Sequence, residues 1–354
     1  MRQQIKTAVF RAAKALGGFA LCRFLMRRRL LILAYHGFQY ADEASFRPIL
    51  FMDPQRFARR LEILKRDGYA VLPLEEAVDR CREGTLPRDT IAITIDDGFF
   101  SVLDLAAPLL HEHRFPATLY VTSYYAVKGT PIFRLVIQYL FWKTVNTHLE
   151  PLSHPWSPAG RVPLQDTAAA DQAMWQIIEF GEAHCDEPGR QAICRELATA
   201  LGIDFDALRD ARGLSLLTLD ELPHLAEFGV DVQLHTHRHT FPTGDLNQAR
   251  TEVRENRDVL EKALGRRLVH FCYPSGVWDL DAVPMLAEES IATATTCQVG
   301  FNDRHTNPLA LYRFLDQDNL SEIEFEAELS GFSELLRTVT FRRSRTEKVH
   351  SARA

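Results

Sequence analysis

Two short clusters in this 354-residue chain hold the side chains best suited to hydrolytic chemistry. Asp96 and Asp97 are adjacent and followed by Gly98, while His235, His237 and His239 fall within five residues. Neighbouring carboxylates in a partly desolvated pocket repel each other unless a proton or a cation stands between them. Taken alone, Asp96-Asp97-Gly98 is also an ordinary turn sequence. Three histidines in five residues are harder to attribute to chance in a chain that has 13 in all. On a strand alternate residues share a face, and on a helix His235 and His239 do. Either geometry brings the outer pair to one ion. Two His with one Asp leave a coordination position open, as a catalytic metal site requires. The blander account is a surface loop of solvated histidines. His36 and the turn Tyr273-Pro274-Ser275-Gly276 are weak signals individually. A lone His is more often a hydrogen-bonded core residue, although a tight turn beside a metal aims a backbone N–H well for an oxyanion.

Each cluster follows a short apolar run that must position it. Leu30–Ala34 leads into Tyr35-His36, Ile91–Ile95 into Asp96, Val230–Leu234 into His235, and Leu268–Cys272 into Tyr273. Runs of this length and composition, stopped by Gly or Pro, read as buried strands. Helical patterns lie between them, at Pro54–Asp67 and Leu246–Leu264. Alternating strands and helices predict a parallel sheet or barrel, in which sites form at the carboxyl ends of strands. All four clusters occupy such ends. Residues 128–217 break the alternation with three helix-like segments, at 133–143, 168–182 and 190–201. They read as a helical insertion above the barrel, with Trp142, Trp156 and Trp175 taken as core aromatics rather than sugar-stacking platforms.

A composition of 46% hydrophobic and 25% charged residues describes an ordinary globular chain, and its net charge of -6 gives no reason to expect nucleic acid. The charge is uneven. Residues 1–30 carry eight Lys or Arg and no acid, and residues 337–354 carry six against Glu347 alone. Residues 12–26 are too short and, with Lys14 and Arg23, too charged to span a bilayer, and no cleavable signal is visible. Ile5, Val9, Ala12, Leu16 and Phe19 share one helical face. The basic segment 1–29 is therefore expected either to lie on an anionic membrane surface or to pack on its own domain. With no cleavable signal the expected location is cytoplasmic, and under the first choice it is peripheral on the inner membrane. Six unpaired-looking cysteines with no C-x-x-C suit reduced thiols.

The ordered set Tyr35-His36, Thr94-Ile-Asp-Asp-Gly98, His235-Thr-His-Arg-His239 and Tyr273-Pro-Ser-Gly276 resembles the polysaccharide deacetylase family, also called the NodB-homology domain or carbohydrate esterase family 4. The likeness covers residues 30–125 and 215–320. It implies a distorted (β/α) barrel of about seven parallel strands over 30–336, with the insertion inside it and a basic tail at 337–354. It also implies a metal-dependent hydrolase that removes an acetyl group, N-acetyl first, from an amino sugar of a glycan or its precursor. By the same resemblance Asp97, His235 and His239 hold one divalent ion, zinc being expected ahead of cobalt, nickel or iron, and Asp96 is the catalytic base. The Ser275 amide and Tyr273 are expected beside the oxyanion and substrate. The loop lacks the Arg that many members use to orient the base, and Arg313 is the substitute. No Leu-x-His follows residue 313 to supply the usual acid, which leaves His36 for that role. His237 matches no family position. Two other readings use the same residues: a catalytically silent glycan-binding protein on this barrel, and a two-His-one-carboxylate iron oxygenase, which gives Asp96 no task.

Overall fold

The apolar runs become strands covered on both faces along most of their length, with Asp231 of the third run reaching solvent beside Arg266. In the computed structural model, which describes residues 2–338, β1 (Leu30–Tyr35) and β2 (Thr90–Ile95) are buried along their whole length. They join β3 (Ala117–Val121), β4 (Val230–Leu234), β5 (His270–Cys272), β6 (Thr293–Thr295) and β7 (Phe314–Leu315). The seven are parallel, in the order β6-β5-β4-β3-β2-β1-β7, and a short strand at Ala70–Val71 runs beside the start of β2. A parallel bridge from Thr295 to Leu311 draws β6 back toward the segment entering β7, so the sheet curls into an incomplete barrel. This is the expected architecture.

Helices surround it: α1 (Arg2–Ala15) and α2 (Gly18–Met26) before β1, then α3 (Pro54–Arg66) and α4 (Leu74–Glu83) before β2. The insertion contributes α5 (Phe133–Lys143), α6 (Thr167–His184) and α7 (Glu187–Ala200). After β4 comes α8 (Leu246–Leu264), and after β7 comes α9 (Glu322–Leu329). Strand alternation sorts the side chains. Leu31, Leu33, Tyr35, Ile91, Ile93 and Ile95 join the outer core under the helices. Leu30, Ile32, Ala92, Tyr120 and Cys272 form a separate inner cluster, packed against Leu74, Ala77 and Val78 of α4. The same parity carries Thr94 and Asp96 toward the interior.

The insertion lies between β3 and β4 and packs on loops leaving the carboxyl ends of β1 and β2. The Tyr139 hydroxyl and the Lys143 ammonium meet Asp42, Arg47 reaches Gln138, and Leu216 bridges to Phe99. It therefore walls one side of the mouth where the site forms. Trp156 is buried as expected, but Trp142 and Trp175 are 42% and 40% exposed, because no further layer covers the outer faces of α5 and α6.

The N-terminal stripe is divided. Gly17, at φ 80°, ends one helix and starts another. Phe19 thereby leaves the stripe and packs with Phe10, Ile323, Ala327 and Phe332. Beyond Arg337 and Thr338 the basic tail lies outside the described residues.

One buried ion pair locks β7 to α3. Arg60 Nε lies 2.9 Å from Asp316 Oδ2, both side chains fully buried, and the Tyr35 hydroxyl donates to the same carboxylate at 3.3 Å. Burial raises the Asp316 carboxyl to about 6 in spite of Arg60. An unfolded Asp titrates near 3.9, so between roughly pH 4 and 6 the native state binds more protons than the unfolded chain. Its contribution is then present below that window and is lost as pH rises through it, by up to about 3 kcal/mol. Asp316→Asn is expected to flatten this part of the pH profile, read as the difference between urea midpoints at low and neutral pH. Identical slopes for wild type and variant would exclude Asp316 as the source.

Candidate metal and catalytic centre

Backbone geometry separates the two adjacent aspartates. Asp96 continues the inward parity of β2, whereas Asp97 turns into the left-handed region at φ 72° and Gly98 follows at φ 92°. Asp enters that region more readily than most residues. Gly98 has little alternative, since an added Cβ would sit 3.1 Å from both Val121 methyls. After β4 the chain reverses in the same way, with Thr236 at φ 63° and His239 at φ 57°. Strain of this kind clusters where a structure holds side chains for a task.

The reversals bring three predicted residues together. His235 Nε2 and His239 Nε2 lie 3.3 and 3.2 Å from one atom, Asp97 Oδ1. That oxygen is buried and lacks a hydrogen-bond partner. His235 Nδ1 lies 2.8 Å from the Cys272 carbonyl, which only accepts, so Nδ1 carries the hydrogen and Nε2 presents a lone pair to the cluster. Such an outer hydrogen bond is the usual companion of a metal-binding imidazole. One oxygen and two nitrogen donors lie within 4.8 Å of one another. With the unpaired carboxylate oxygen between the two imidazoles, this donor set fits a divalent cation with an open position. Burial opposes ionisation of Asp97, but the neighbouring imidazoles outweigh it and hold the carboxyl well below its usual range. Burial likewise opposes charge on His235, and Asp97 and Asp96 outweigh that, raising its pKa. The cluster draws positive charge onto itself, and a bound cation would replace those protons.

The His235 amide donates to Asn256 Oδ1 at 2.9 Å, and the Asn256 amide holds Val121 O and Ser123 Oγ. His237, between the two candidate ligands, turns the other way. Its Nδ1 meets Ser123 Oγ at 2.8 Å, and its carbonyl accepts from the Tyr124 amide and the Thr122 hydroxyl. It braces the loop after β3 against the loop after β4.

Asp96 is gripped by Arg313, which immediately precedes β7, two strands away in the sheet. Arg313 donates from Nη1 to Oδ1 at 2.7 Å and from Nη2 to Oδ2 at 2.8 Å, the forked geometry that fixes a carboxylate in plane. Arg313 is itself held by Thr296 O, Thr94 Oγ1 and Cys272 Sγ, all buried. Burial pushes the Asp96 carboxyl up, but the guanidinium outweighs it and keeps the pKa low. His36 Nε2 stands 3.9 Å from Asp96 Oδ2, while its Nδ1 is buried without a partner. Burial pushes this imidazole down toward its neutral form.

Cys272 is a contact that the sequence analysis did not single out. Its thiol lies 3.5 Å from Asp96 Oδ2 and 3.1 Å from Arg313 Nη2. The available signal was alternation along β5, which turns Phe271 outward and Cys272 inward. Tyr273 requires a correction. It is fully buried, its hydroxyl donates to Leu309 O and its amide to Thr295 O, so neither group is left for a substrate. Ser275 stands exposed in the same loop at φ 55°.

Removing one partner of a buried pair strands the other charge, which costs about 3–5 kcal/mol. Arg313→Met is expected to lose stability on that scale, measured by chemical denaturation, and Asp96→Asn combined with Arg313→Met to regain most of it. A single variant as stable as wild type would mean that this fork does not hold the site.

Residues 210–293 match a family model described as polysaccharide deacetylase. A search of curated protein sequences finds no match. Among solved structures the chain is similar to the Streptococcus pyogenes deacetylase PplD in complex with acetate, with 18% identity and a TM-score of 0.56 over 85% of this chain and 98% of that one. It is similar to IcaB from Ammonifex degensii, with 16% identity and a TM-score of 0.54 over 85% and 97% of the two chains. It is also similar to a de-N-acetylase from Aggregatibacter actinomycetemcomitans, with 13% identity and a TM-score of 0.51 over 85% and 99%. At these identities the likeness is one of fold. Residues 210–293 thus carry the polysaccharide deacetylase signature, and over most of its length the chain shares the fold of solved deacetylase structures.

Proposed function

We propose that the protein is a metal-dependent deacetylase that removes an acetyl group, N-acetyl in preference to O-acetyl, from an amino sugar of a polysaccharide, oligosaccharide or glycan precursor. One observation carries this reading. The buried, unpaired Asp97 Oδ1 is faced by two imidazole nitrogens, while the next carboxylate, Asp96, is held apart by Arg313.

Asp97, His235 and His239 would hold the cation, which when bound supplies Lewis acidity to polarise the acetyl carbonyl and acidify a water. Asp96 accepts the proton of the attacking water, with Arg313 keeping it ionised and aimed. A carboxylate held this low is a weak base, so it depends on a water made acidic by other means. The water oxygen adds to the acetyl carbon and the C–N bond breaks, giving acetate and an amine. The amine needs a proton as it departs. His36, neutral at rest, acquires that proton from Asp96, 3.9 Å away, and delivers it. The Ser275 N–H, in its left-handed turn, is the donor assigned to the oxyanion.

Acetate and free-amine release, measured on N-acetylglucosamine oligomers and on an O-acetylated glycan, tests the reading. Release from the first is expected. Release from the second alone would overturn the N-acetyl preference, and release from neither would favour the silent glycan-binding alternative.

A further inference from the structure

Apolar side chains on a folded surface are normal singly and meaningful in groups. Ile5 and Val9 of α1, Leu16 just after it, and Leu21, Phe24 and Leu25 of α2 are between 51% and 87% exposed. They make up six of the eighteen exposed large apolar side chains among the described residues, gathered into 21 positions. On α1 the spacing of Ile5, Val9, Ala12 and Leu16 places them in one narrow stripe, flanked by the buried face of Phe10 and Ala13. On α2, Phe19 and Cys22 face inward, and Leu21, Phe24 and Leu25 share the outward arc.

The cations of this hairpin divide into two groups. Lys6, Lys14 and Arg23 pair with Glu324, Glu326 and Asp89, which fastens the hairpin to the domain. Arg11, Arg27, Arg28 and Arg29 form no ion pair among the described residues, and the Arg27 guanidinium lies over the Phe24 ring at 3.7 Å. Outward apolar side chains bordered by unpaired Arg, with no acid in residues 1–30, suit a surface that is apolar just beneath and anionic on top. A second copy of the chain suits it poorly, since a two-fold contact would set cations against cations.

We propose that the α1–α2 hairpin is a docking surface for an anionic lipid leaflet, with Leu21, Phe24 and Leu25 entering the headgroup boundary and Arg11, Arg28 and Arg29 meeting lipid charge. No described helix is long and apolar enough to cross a membrane, so the contact is interfacial. Because α2 runs into the starting end of β1, the hairpin's second half lies at the opposite end of that strand from Tyr35 and His36. The docking surface is thus separate from the candidate catalytic centre.

The test is flotation of the full chain with vesicles of phosphatidylglycerol and phosphatidylcholine, against vesicles of phosphatidylcholine alone, at low and high salt. The wild type is expected to float with the anionic vesicles at low salt and to be released at high salt. Arg11→Gln/Arg28→Gln/Arg29→Gln should weaken partitioning about a hundredfold, each cation near such a surface being worth about 1 kcal/mol. Leu21→Ser/Phe24→Ser/Leu25→Ser should abolish flotation while melting and acetate release stay at wild-type values, because these side chains are exposed. Equal flotation with neutral vesicles, or none with anionic ones, would overturn the proposal. So would a lipid-free oligomer that the serine variant dissolves, since the patch would then belong to a second copy.

Discussion

Asp96→Asn is expected to keep its metal and lose about 10²- to 10⁴-fold in kcat, the usual worth of a positioned general base. Asn matches Asp in shape and still accepts from Arg313 through its carbonyl oxygen, but its amide cannot take a proton from water. Because Asp96 binds Arg313 through both oxygens, part of the fork is lost as well, and the melting temperature should fall. Added metal should restore neither effect, which distinguishes this variant from one that has lost its ion, and KM for the glycan should stay near wild type because the Asp96 side chain is almost wholly buried. An Asp96→Asn enzyme with near-normal kcat would remove Asp96 from the proton-transfer role.

Asp97→Asn and the double variant His235→Ala/His239→Ala are expected to lose the metal itself, with affinity falling by at least about a hundredfold and activity falling with it. Asn is at ease in the left-handed region that Asp97 occupies at φ 72°, so the loss cannot be assigned to backbone strain. His239 is the more exposed of the two imidazoles, and its removal leaves the hydrogen bond of His235 to Cys272 O untouched. Elemental analysis of purified protein reads this directly. Full occupancy in the double variant would sink the ligand assignment.

Much of this centre is written in local sequence. The parity of β2 already turns Asp96 inward from Thr94, and Asp-Asp-Gly supplies residues that tolerate a left-handed turn, so the division between the two carboxylates follows from two adjacent letters. The outer histidines converge because Thr236 and His239 are both left-handed, which five residues of sequence do not reveal. They signal only that either a strand or a helix could bring the pair together. The placement of Arg313 against Asp96 depends on β7 closing beside β1 and on Thr296 orienting the guanidinium, contacts from distant parts of the chain. Cys272 and Asn256 are invisible for the same reason, since each becomes informative only once β4, β5 and α8 are packed. Tyr273 misleads because a tyrosine beside a turn looks accessible. Its ring is drawn inside by Phe241, Phe271 and Trp278. At the N-terminus the periodic stripe is real, but Gly17 breaks it, and helical period alone does not say which stripe faces the domain.

The central claim is that one divalent ion, held by Asp97, His235 and His239, makes this barrel a deacetylase. Stepwise return of a divalent metal to chelator-treated protein tests it most directly, with acetate release from N-acetylglucosamine oligomers recorded at each addition. The account predicts no release from the metal-free protein and a linear rise that ends at one equivalent per chain, absent in His235→Ala/His239→Ala. Full activity in the metal-free protein, or an equal rise in the double variant, would contradict it.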